Sequence, residues 1–128
     1  VKREKGKGVR NSILKEKSYK FAVRIVKLSQ YLQREKKEYV LSKQILESGT
    51  AIGALIREAE FGQSRADFAH KMSIALKEAN ETDYWLCLMK DADYIDKKMH
   101  ESMQTDCQEL TAMLISTVKT SKRVKSEE

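Results

Sequence analysis

Seven residues between 68 and 89 constrain the whole chain. Phe68, Met72, Ala75, Ala79, Thr82, Leu86 and Met89 alternate in steps of four and three. That spacing keeps one seam of an α-helix turned toward a partner. Beside it runs a second seam with the same alternation: Lys71, Ile74, Glu78, Glu81, Trp85 and Leu88. A helix with two adjacent seams meets more than one neighbour, which places it inside a bundle. The segment before it carries Leu41, Ile45, Ser48, Ile52, Leu55 and Ala59 on one face. Between the two segments stands a tight turn, Phe61–Gly62–Gln63–Ser64. Gly62 stops one helix and Ser64 caps the next, with Asp67 at the capping-box distance, where Glu or Gln is the stronger partner.

The rest of the chain fits around this hairpin. It has 128 residues, no proline and only five glycines, which suits one all-α domain with a real core. The expected fold is an antiparallel up-down-up-down four-helix bundle over residues 12–120. A basic arm at 1–11 is expected to be disordered or extended, and a tail at 121–128 to be frayed. The pattern predicts helix one from Lys17 or Ser18 to Lys36 and helix two from Tyr39 to Glu60. Helix three follows from Arg65 to Lys90, and helix four from Lys97 to Thr120 behind an Asp96 cap. Phe21, Ile25, Leu28 and Leu32 supply the core stripe of helix one. Met99, Met103, Cys107, Leu110, Leu114 and Val118 supply that of helix four. Helix three is expected to be the most buried, with Trp85 in the core or in a contact between subunits.

Gly49 and Gly53, four apart in helix two, need a reason, since each costs about 1 kcal/mol relative to alanine. Close approach of another helix, within the bundle or across a subunit boundary, supplies one. No strand-to-helix loop and no Lys-Ser/Thr accompany them, so they are not a phosphate loop. Lys71, Glu78, Glu81 and Trp85 lie on or beside apolar seams, where ionised groups need partners. They are read as setting register or subunit contact, with Arg57 of helix two able to meet one of the acids.

Charge is distributed unevenly. Residues 1–40 hold thirteen Lys or Arg against four Glu, for +9, whereas residues 41–128 sum to −3. Lys20, Arg24, Lys27, Tyr31 and Arg34, with Lys17 above them, form a basic stripe on helix one. Acids enter only at its end, as Glu35 and Glu38, so pairing within the helix leaves most of it positive. A solvated face is the ordinary fate of such a stripe, and phosphate binding is the functional alternative. The segment Val1–Arg10 has the same two readings, a solvated tail or a nucleic-acid-binding arm. It is charged with no apolar run behind it, so it does not read as a secretory signal.

Catalytic and metal chemistry find little support. A di-metal bundle site wants two Glu-x-x-His pairs and two further Glu. Only Asp67 and His70 approach that spacing, while His100 has Lys97 three residues before it. Glu78 and Glu81 are one turn apart, yet no nucleophile or oxyanion donor stands near them in sequence. Cys87 and Cys107 are too far apart for a compact zinc motif, and reduced thiols in a cytoplasm are the simplest reading. No apolar run approaches the roughly 20 residues that span a bilayer. The expectation is a protein without catalytic site, cofactor or metal.

The runs SGTAIGALIREA and SRADFAHKMSIALKEANETDYWL resemble the small bacterial four helix bundle family. Its members are often encoded in intervening sequences inside the 23S ribosomal RNA gene. The resemblance spans about Ile13 to Lys122 and is strongest from Ser48 to Leu88. It implies an antiparallel four-helix bundle assembled into a pentameric ring, and it brings no settled activity. A related branch is the accessory protein of diversity-generating retroelements, whose basic pentamers associate with nucleic acid and a reverse transcriptase. Two functions are therefore expected to compete. One is binding of RNA or DNA backbone through Lys17, Lys20, Arg24, Lys27 and Arg34, with Tyr31 stacking on a base. The other is a scaffold for a protein partner such as a reverse transcriptase.

Overall fold

The computed structural model describes the backbone of residues 2–127 and the side chains of residues 11–123. Four helices follow one another: α1 (Lys2–Glu35), α2 (Leu41–Glu60), α3 (Arg65–Asp91) and α4 (Lys97–Glu127). α1 packs on α2, α2 on α3 and α3 on α4, and α4 closes back on α1 along a much thinner seam. Among the described residues there is no strand, and the chain is an all-α, up-down-up-down four-helix bundle.

Local chemistry accounts for the helix ends. The Ser64 hydroxyl accepts from the Asp67 amide at 3.1 Å and opens α3. The Asp96 carboxylate accepts from the Met99 amide at 2.8 Å and opens α4. α2 starts two residues later than its pattern predicts, because Glu38 serves its first turn. The Glu38 carboxylate accepts from the Ser42 amide at 2.9 Å, and its carbonyl accepts from the Ser42 hydroxyl. α1 and α3 each end beside a residue in the left-handed region, Lys37 at φ 54° and Asp93 at φ 66°. There the returning amides satisfy open carbonyls: Glu38 on Leu32 at 3.0 Å and Tyr94 on Met89 at 2.8 Å. Gly62 works differently, since its φ is not positive. It is small because a Cβ would lie 2.7 Å from the Asp67 carboxylate and 3.1 Å from the Ala59 carbonyl.

Two further boundaries depart from the sequence reading. α1 runs back to Lys2, so the backbone of residues 2–11 continues the helix instead of running extended. α4 likewise passes Thr120 and continues to Glu127. Lysine, arginine and glutamate are good helix formers, and extending an existing helix avoids the cost of a new nucleus. Val1, Glu128 and the side chains of residues 2–10 and 124–127 lie outside the described residues.

The core is built from one seam per helix. Phe21, Ile25 and Leu32 meet Ile45, Ile52, Met72, Leu86, Leu110 and Leu114, all essentially excluded from solvent. Each such side chain contributes about 1.5–3 kcal/mol by leaving water. On α4 the seam begins with buried His100, and Met99 stands at its edge. α3 is not the most buried element. It buries six of its 27 residues, against seven of 20 in α2. Only its first seam faces inward. Small residues bring α2 and α3 together, where the Thr82 hydroxyl donates to the Glu78 carbonyl at 2.8 Å and lies 3.0 Å from the Ser48 hydroxyl.

Candidate nucleic-acid interface

The basic stripe of α1 faces outward on the side that adjoins α4. Its cations have two different fates. Arg24 donates to the Asp106 carboxylate at 2.6 Å, and to the Ser102 hydroxyl at 2.8 Å. Lys17 pairs with Glu109, whose hydrogen bond and charge raise the lysine's pKa. Both acids come from α4, so tertiary packing supplies the neutralisation that α1's own sequence lacks. Lys17 and Arg24 thereby act as struts across the thinnest seam of the bundle.

The remaining cations look to solvent. Among the described residues Lys20 pairs with Glu16 alone, one turn before it, at 2.9 Å and with both side chains largely exposed. Hydrogen bonding to Lys20 lowers the Glu16 pKa. Exposed pairs of this kind contribute little and open readily. Lys27 and Arg34 are exposed and meet no acid in an ion pair among the described residues. Tyr31 is half-buried, packed against the edge of the core between them. The stripe is thus divided. Lys20, Lys27 and Arg34 are available to phosphate, and Lys17 and Arg24 are already engaged.

The residues read as packing or subunit contacts also separate. A Cβ on Gly49 would come within 2.7–2.9 Å of the Ile25 side chain, and one on Gly53 within 3.3 Å of the Ser18 carbonyl. Both glycines let α2 approach α1 within one chain. The second seam of α3 stands at the surface instead, on the flank toward α2. Lys71, Glu78 and Trp85 are half-buried and Glu81 is exposed. Burial, then the neighbouring Glu81 charge, raise the Glu78 pKa. Trp85 holds Tyr84 edge-on at 5.1 Å between ring centroids. Arg57 does not reach these acids within the chain. Its guanidinium sits 5.9 Å from the centre of the Tyr19 ring on the other side of α2.

Two features escaped the sequence reading. Tyr19 and Phe61 are 59% and 75% exposed and flank an open groove between α1 and α2. An aromatic two positions off the Phe21–Ile25 stripe was the available signal. Among the described residues, no three His, Cys, Asp or Glu side chains gather as a metal-holding group. Among them too, no helix is long and apolar enough to cross a membrane.

Comparison with known proteins agrees with this fold. Residues 10–116 match the family model described as 23S rRNA-intervening sequence protein. A crystal structure of a protein of unknown function from the S23 ribosomal protein family, from Bacteroides thetaiotaomicron, is 55% identical. It superposes with a TM-score of 0.85 over 86% of this chain and 98% of the other. No curated protein matches the chain. The chain belongs to the 23S rRNA-intervening sequence protein family.

Proposed function

We propose that this chain is a non-enzymatic, cytoplasmic protein that assembles with copies of itself into a ring and binds RNA or DNA backbone through α1. The observation that carries the reading is the outward row of Lys20, Lys27 and Arg34. Two of these three cations meet no acid among the described residues. α1 continues back to Lys2 and carries five more Lys or Arg before residue 11. A pentamer is the ring that the family resemblance implies. It would repeat the row on every subunit and turn weak phosphate contacts into a multivalent surface. Recognition would be electrostatic and indifferent to sequence, with Tyr31 the one side chain on the row able to stack on an unpaired base. The test is Lys20→Glu with Lys27→Glu and Arg34→Glu, checked first for helix content and assembly. The folded triple variant should lose most of its affinity for both nucleic acids at low salt. Unchanged affinity would remove α1 as the site.

A second reading has its own support. The exposed aromatics Tyr19 and Phe61, and the surface seam around Trp85, are protein-docking chemistry. They suit a scaffold for a protein partner, such as a reverse transcriptase, with no direct role for nucleic acid. Stoichiometric co-purification of a protein partner, with no nucleic-acid binding by the ring alone, would favour it.

A further inference from the structure

α1 and α2 leave an open groove of about 630 Å³ on their outer side. Ala22, Gly53 and Ala54 keep its floor low, and Tyr19 and Phe61 stand exposed along its walls. Val23 and Val26, both more than a third exposed, extend apolar surface further along α1. Arg57 lies among the lining residues, its guanidinium against the Tyr19 ring. Arg57 has no acid in an ion pair among the described residues. This face is therefore mainly apolar, with Arg57, Glu58 and Lys15 as its charged lining and Lys15 already paired with Glu60 at 2.9 Å. It is separate from the row of cations next to α4.

The outer seam of α3 is its complement. Ile74, Trp85 and Leu88 give it apolar area, and Tyr84 adjoins them with 59% exposure. Glu78 and Glu81 sit together on it, close enough for their like charges to oppose ionisation. Neither meets a cation in an ion pair among the described residues. Glu81 is exposed, so the cost falls on half-buried Glu78, whose burial beside a like charge outweighs the opposing charge of Lys77, and a guanidinium from outside relieves it.

We propose that the α1–α2 groove receives the outer face of α3 from a second copy of this chain, with Arg57 set against Glu78 and Glu81. The proposal rests on the assembly reading above and names the two surfaces that meet. Charge complementarity selects the occupant, since every copy carries both Arg57 and the two acids, none of them in an ion pair among the described residues. The placement of the two faces also fits a closed ring. Thr82 turns toward Ser48 of α2, and Asp83 toward Gln104 of α4. At about 100° per residue, Glu78 and Trp85 fall on the α2 flank of α3. The groove and the seam thus occupy adjoining sides of the bundle, which meet at about a right angle. Two unlike faces at that angle make a head-to-tail contact, and rings of four or five have corners of about 90° and 108°. Faces on opposite sides would give an open filament instead.

The test is sedimentation velocity on the parent and on variants whose fold is checked by circular dichroism. Arg57→Glu should weaken assembly at least tenfold, and so should Glu78→Arg with Glu81→Arg. The three changes combined restore the pairing in swapped form and should recover the ring. Ala54→Arg fills the groove from an exposed position and should give a folded monomer. A ring that survives Ala54→Arg and both charge reversals overturns this pairing while leaving assembly intact. Failure of the swapped triple variant to recover also overturns it. A parent that is monomeric at micromolar concentration removes the assembly reading itself.

Discussion

Arg24 of α1 and Asp106 of α4 are joined by a 2.6 Å hydrogen-bonded ion pair across the seam where the bundle is thinnest. The same guanidinium also donates to the Ser102 hydroxyl at 2.8 Å. The pair is about 40% exposed, so screening takes much of its Coulomb energy. The donation to Ser102 holds the guanidinium in place, so some of that energy is kept. Arg24→Ala and Asp106→Ala should each cost about 0.5–1.5 kcal/mol in urea unfolding. Together they should cost less than the sum, because they share one interaction. Strict additivity would show that the contact contributes nothing and that α4 closes on α1 by packing alone.

The two glycines of α2 should respond differently to alanine. At Gly49 a Cβ would lie 2.7–2.9 Å from three atoms of the buried Ile25 side chain. Overpacking of that kind costs about 1–3 kcal/mol, more than the roughly 1 kcal/mol of helix propensity gained. Gly49→Ala should therefore be destabilising. At Gly53 the nearest atom is the Ser18 carbonyl oxygen at 3.3 Å, a tight contact but not a clash. Gly53→Ala should fall within about 1 kcal/mol of the parent. Equal thermal shifts for the two variants would contradict the difference in close approach.

Much of this was legible before the structure. The four-three alternation of Phe68 to Met89 specified a bundle helix, and Ser64 and Asp96 marked helix starts because their side chains cap in place. The ends of α1 and α4 were not legible, since a run of lysine and glutamate is compatible with both a solvated tail and a helix. His100 was missed because histidine carries no apolar signal, although it stands three residues before Met103 on the same seam. The candidate interface was only half readable. A stripe can be located from one helix, but Glu109 and Asp106 lie on another, and no periodicity within α1 reveals them. The exposure of Glu81 beside buried Thr82 had the same origin, since both seams of α3 look alike until α2 and α4 take their places.

Cys107 offers a test of the core through pH. Burial, and then the charge of Asp83, push its thiol from an ordinary value of 9.0 up to about 12. Folding thus favours the protonated thiol, whereas the unfolded chain ionises near 9. Above that pH the unfolded state holds fewer protons, so this contribution is fully present below about 9 and is lost as pH rises toward about 12. A Cys107→Ala variant should show a flatter decline of stability between those values than the parent. Native Cys107 should also resist thiol reagents at pH 8 until the chain unfolds. Rapid labelling of Cys107 in the folded protein would contradict its burial.

The most direct test of the central claim is a salt titration of the parent protein against labelled single-stranded RNA and duplex DNA, followed by fluorescence anisotropy. Each neutralised phosphate contributes a slope of about −0.7 on single strands and −0.9 on duplex in log affinity against log salt. Contact through Lys20, Lys27 and Arg34 predicts slopes of about −2 or steeper on both, with little dependence on base sequence. Absence of binding to either nucleic acid at about 50 mM salt, or binding that salt does not weaken, would contradict it.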